Sequence, residues 1–187
     1  MFTRNSLVGL DIGCHEIKAI EMVASADGLQ INALAKMPAV EPAELPQAIR
    51  GLFAKSGIRT KNVAVSLSGQ SVVVRYLAMP RMSEEDLLSS MKYEAGKHIP
   101  FDLEEVVFDC ARLDRDGVSA DKEENDEMQV LLVAAKKEIP NDLLGGMRSA
   151  SLVPVAVDVD GFALGNAFEL YSSSGSPGGG LEGVNVL

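Results

Sequence analysis

The stretch LVGLDIGCHEIKAIEM, Leu7 to Met22, constrains the fold of this chain more than any other. Apolar residues alternate on either side of a short glycine-containing turn, so the segment reads as two antiparallel strands of a hairpin. If Ile12 pairs with Ile17 across the turn, the period of two sets Asp11 opposite Lys18 on one face. Acid and base then share a small site, and three readings stay open. The first is a solvated cross-strand ion pair, stabilising by less than about 1 kcal/mol. The second is a phosphate cradle, with Gly13 letting turn N–H groups face an anion, Lys18 neutralising it and Asp11 holding a hydrated Mg²⁺. The third, a thiol or metal centre at Cys14 and His15, has the least support. Adjacent residues tend to point to opposite sides, and Cys14, His15, His98 and Cys110 show no CxxC or HxxxH spacing.

The rest of the chain extends this opening into a mixed pattern. Leu7–Ile12, Ile17–Val23 and Leu29–Lys36 form a three-stranded meander, and EPAELPQAIRGLFAKSG follows as a helix with Ile49, Leu52 and Phe53 on one face and Gly57 past its end. VAVSLS and SVVVRYLAM return as strands. A capped helix begins at Ser83, with Asp86 three positions on and a stripe of Leu87, Leu88, Met91 and Ala95. Pro100 stops it, turning Ile99 extended and letting Phe101 swing back as an apolar anchor. VVFDCARL and EMQVLLVAAKK are strands flanking the acidic loop DRDGVSADKEENDE, which reads as a solvated loop tip, and a helix near Pro140–Ala150 closes this α+β insertion. VPVAVDVD reads as a buried-type strand, GFALGNAFELY as a helix, SSSGSPGGG as a flexible connection, and GVNVL as the start of a further strand. The chain therefore reads as the front part of something longer.

Charge narrows the function classes. A net charge of -10, with no clustered Lys or Arg, argues against a nucleic-acid surface. Two distant cysteines and no signal peptide favour a reducing cytoplasm. The longest apolar run, Val130–Ala135, is far short of the roughly 20 residues that span a bilayer, so membrane association would come through a partner.

The hairpin resembles the first phosphate motif of the actin-like ATPase superfamily. MPRMSEEDLLSSMKYEAGKHIPFDLEEVVFDCARL is closer still to that superfamily's PilM branch, through Pro80, Met82–Glu85, Glu94, Ile99–Phe101 and Asp109, and VLLVAAKKE and VPVAVDVDGFAL continue the likeness. The resemblance implies an α/β, ribonuclease H-like 1A subdomain, its first part at 1–71 and its second at 153–171. A 1C subdomain is inserted at 72–152, a Gly/Ser linker follows at 172–183, and a strand begins at 184–187, ahead of the second half of the clamp. It further implies ATP and Mg²⁺ at half a site. Asp11 would hold the Mg²⁺ hydration shell, Gly13 and the Cys14 and His15 amides would approach the phosphates, and Lys18 would neutralise them. Asp158 would lie where relatives orient an attacking water. Relatives usually carry Ser or Thr where this chain has Cys14. For partners, the resemblance implies the N-terminal cytoplasmic segment of PilN and, through it, the inner-membrane alignment complex of the type IV pilus, with the protein cytoplasmic and peripheral to that membrane. An actin-like kinase or ATPase, and an FtsA-like filament component of cell division, are the alternatives.

Overall fold

The computed structural model describes residues 6–26, 28–69, 72–113 and 127–173. The order along the chain is β1 (Ser6–Ile12), β2 (Glu16–Ser25), β3 (Gly28–Pro38), α1 (Leu45–Ser56), β4 (Asn62–Leu67), β5 (Val72–Pro80), α2 (Glu84–Glu94), β6 (Val106–Arg112), β7 (Glu127–Lys136), α3 (Glu138–Ser149), β8 (Val153–Val159) and α4 (Asp160–Ser173). Most of the acidic loop, the Gly/Ser segment after Ser173 and the final strand lie outside the described residues; Ser172 and Ser173, expected to open that segment, instead end α4. Two compact units result: one from residues up to Ser68 and from Asp142 onward, the other from Gly69–Asn141. The α/β character expected is present, with an α+β unit inserted between β4 and β8. The insertion is shorter than the 72–152 expected: it ends at Asn141, and the helix expected to close it lies mostly in the first unit, because Met147 and the following Ala150 and Leu152 pack into that unit's core.

In the first unit, β1 and β2 pair in the register that alternation demands: Ile12 with Ile17 and Asp11 with Lys18. β4 lies parallel to β1, and β8 parallel to β4, giving the order β3-β2-β1-β4-β8. One face of this sheet presents Val8, Leu10, Ile17, Ala19, Val63 and Val65 to Ile49, Leu52 and Phe53 of α1 and to Met147, Ala150 and Leu152. Ile17 and Ile49 are fully buried, each worth roughly 1.5–3 kcal/mol relative to exposure. Proline in its first turn opens α1. Gly57, at φ 74°, closes it in the left-handed conformation that a side chain would strain. Arg50 Nη1 then donates to the Ser149 carbonyl at 2.7 Å, tying α1 to the end of α3.

A bulge interrupts the β2–β3 ladder. Met22 pairs with Ile31 but Glu21 with Ala33, so Asn32 is the extra residue. Its side chain donates to Glu21 Oε2, and Ser6 Oγ reaches Glu21 Oε1 at 3.5 Å, which accounts for a carboxylate left only 4% exposed.

β8 corrects one expectation. It reads as a buried strand, yet Val153, Val155 and Val157 are exposed, because β8 is the edge strand and little among the described residues covers its faces. Apolar content alone cannot tell a buried strand from an edge strand that lacks a neighbour.

In the second unit, β5, β7 and β6 form an antiparallel sheet in that order. Ser83 caps α2, its Oγ accepting from the Asp86 N–H at 3.1 Å. Leu87, Met91 and Ala95, four residues apart, enter the core with Met128, Val130 and Leu132. Leu88, expected in the same stripe, is turned out and exposed. Ile99 is buried, and Phe101 packs back against the core as Pro100 predicts, with Lys136 Nζ 5.2 Å from its ring centroid.

Candidate functional site

The face of the five-stranded sheet opposite α1 carries the polar chemistry. On it Lys18 stands beside both Asp11 of β1 and Lys36 of β3. Leu10 pairs with Val65 and Ser66 with Asp158, so the same row continues through Ser66 to Asp158. Lys36, Lys18, Asp11, Ser66 and Asp158 therefore cross all five strands in line. The next row, Leu34, Ile20, Gly9, Ala64 and Ala156, is wholly apolar. A hollow of about 660 Å³ lies over these rows, its lining mostly apolar, with Ile20, Leu34 and Ala64 in its floor and Asp11, Lys18, Lys36 and Asp158 also among the lining residues. That size suits a bound small molecule.

Two ion pairs organise the charged end. Lys18 Nζ lies 3.2 Å from Asp11 Oδ2, and Lys36 Nζ lies 3.0 Å from Glu16 Oε1. The Lys36 hydrogen bond, and then its charge, hold the Glu16 carboxyl below the usual carboxylate range; slight desolvation opposes them, and the Lys18 charge adds to the lowering. Asp158 Oδ1 accepts from the next N–H, Val159, at 2.7 Å, which fixes the carboxylate at the strand end.

The turn itself is built differently from its expected use. The Gly13 N–H donates to the Glu16 carbonyl at 3.0 Å and so closes the turn instead of facing outward. A side chain there would be crowded, since a Cβ would sit 3.0 Å from that same oxygen. The Cys14 and His15 amides donate to no acceptor among the described residues and are the open donors of the loop. Their side chains are not opposed, as alternation had suggested. Cys14 Sγ lies 2.9 Å from His15 Nδ1 on the exposed turn, because both residues have left the strand and its alternation with it.

Of the residues singled out in the sequence, Asp11, Lys18 and Asp158 line one hollow, whereas Gly13, Cys14 and His15 do not line it. Lys36, Glu16 and Ser66 escaped the sequence reading. A regular β2–β3 hairpin closing at Ser25 and Gly28 would set Lys18 against Ala35, and only the bulge at Asn32 brings Lys36 opposite.

A family model described as type IV pilus assembly protein PilM matches residues 9–186. Among solved structures, a chain of the PilM-PilN type IV pilus biogenesis complex is 31% identical, with a TM-score of 0.77 over 90% of this chain and 51% of that one. The cytoplasmic domain of EpsL, an inner-membrane component of the type II secretion system of Vibrio cholerae, is 16% identical, with a TM-score of 0.55 over 84% of this chain and 58% of that one. The EpsL likeness is one of fold alone. The chain spans about half the length of the chain it matches in the PilM-PilN complex.

Proposed function

The chain belongs to the PilM family of type IV pilus assembly proteins, and we propose that it acts as an ATP-binding scaffold that takes up the N-terminal cytoplasmic segment of PilN. In this role it links the inner-membrane alignment complex to the pilus machinery from the cytoplasmic side, held at the membrane by its partner. The observation that carries the reading is the 31% identity, across 90% of this chain, to a chain of a complex described as PilM-PilN. No helix among the described residues is long and apolar enough to cross a membrane, so a peripheral attachment is consistent with the fold.

The residues present fit a nucleotide with Mg²⁺. Lys18 supplies a cation, the Cys14 and His15 amides supply undonated N–H groups, and Asp11, on the same face, can hold hydrated Mg²⁺. Asp158, on the wall of the same hollow, would face the bound phosphates. Bound nucleotide would supply a charged, exchangeable ligand whose state the scaffold can report to its partner. Capture of an extended peptide needs backbone pairing and side-chain pockets, and no turnover.

Calorimetric titration with a PilN N-terminal peptide, and separately with Mg·ATP, tests the proposal. The expected result is a saturable peptide isotherm and ATP binding weaker than about 100 µM, since this chain spans about half the length of the chain it matches in the PilM-PilN complex. Tight ATP binding with no uptake of the peptide would overturn it.

A further inference from the structure

Two lysines directly opposite each other on one face of a sheet repel, and a strand pair under no other demand avoids the arrangement. Here Lys18 and Lys36 stand so paired, at the polar end of the hollow, and each is capped by its own carboxylate: Asp11 for Lys18 and Glu16 for Lys36. Glu16 and Lys18 are two apart on β2 and share a face, so all four groups form one cluster of alternating partners. Both cations keep much of their surface in solvent, with side-chain exposures of 54% for Lys18 and 71% for Lys36. Neither pair is locked by burial, and an arriving anion can displace the carboxylates.

We propose that Lys36 is a second phosphate-binding cation at this site, and that Glu16 is an internal competitor that occupies it until a polyphosphate arrives. The inference rests on the nucleotide reading above but extends the site onto β3, outside the phosphate-loop motif. With two adjacent cations, the site favours ligands in proportion to their phosphate charge: triphosphate over diphosphate over monophosphate. The lowered pKa of the Glu16 carboxyl, traced to Lys36 and in part to Lys18, agrees with a carboxylate placed between the two.

Binding of Mg·ATP and, separately, of metal-free inorganic tripolyphosphate by wild type, K36Q, E16Q and K18Q tests this, with far-UV circular dichroism as the fold control for these exposed positions. K36Q should weaken both probes about fivefold and flatten the salt dependence of binding, whereas E16Q should tighten both about threefold. If K18Q weakens binding and K36Q leaves it unchanged, the proposal falls and the nucleotide reading stands. If tripolyphosphate binds in a Lys36-dependent way but ATP does not bind, the anion site stands and the nucleotide reading falls. Failure of wild type to bind either probe overturns both.

Discussion

Replacing Asn32 by leucine should destabilise the first unit by about 2–3 kcal/mol, because Asn32 supplies the one close donor, among the described residues, to a buried carboxylate. Glu21 is 4% exposed, and its other contact, Ser6 Oγ at 3.5 Å, lies at the limit of a hydrogen bond and contributes little. A hydrogen bond to a charged group is worth about 1.5–3 kcal/mol, and here its loss also leaves the acceptor buried without compensation. β3 cannot relieve the loss by straightening. The regular register would turn Lys36 onto the face where Ala33, Ala35 and Met37 now pack against the core. Removing both partners, in Glu21→Leu/Asn32→Leu, should return stability to within about 1 kcal/mol of wild type, since no polar group is then stranded. Urea unfolding followed by far-UV circular dichroism on wild type, both single variants and the double variant gives the coupling directly. Two results would refute the reasoning: an Asn32→Leu variant within about 0.5 kcal/mol of wild type, or a double variant as unstable as Asn32→Leu alone.

Met91, fully buried among Leu87, Val130 and Leu132, should cost about 2–5 kcal/mol on replacement by alanine, and a midpoint shift in the same urea assay reads it. The two thiols should separate by alkylation rate. Cys14 is exposed and reacts first, whereas burial, and secondarily the Asp109 charge, raises the pKa of Cys110 above the ordinary thiol value. A raised pKa means less thiolate at any given pH, so the Cys110 rate profile in the folded chain should lie at higher pH than in the chain unfolded by urea. Coincident profiles would show that its surroundings do not act on it.

Local rules made most of the fold legible, because most of its elements obey them one at a time. Alternation through Val8, Leu10, Ile17 and Ala19 fixed the hairpin and set Asp11 against Lys18. Ser83 with Asp86, and Gly57 with Ile49, Leu52 and Phe53, marked helix ends and faces. What escaped were properties that belong to two elements at once. The exposure of β8 depends on what lies beside it in the sheet, and the outward turn of Leu88 depends on how α2 meets β6, neither of which a period can state. The row at the site is the sharpest case. In the sequence, Lys36 stands among Ala33, Ala35 and Met37 as the odd residue of a strand, and strict alternation counted from the Ser25–Gly28 turn sends it to the core. One extra residue at Asn32, held by a carboxylate eleven positions earlier, reverses that outcome and places a second cation beside the first. The buried Glu21 is therefore more than a satisfied polar group. By holding the bulge it decides which face of β3 turns toward the hollow, so stability at Asn32 and the anion affinity proposed for Lys36 should fall together in any variant that lets the register slip.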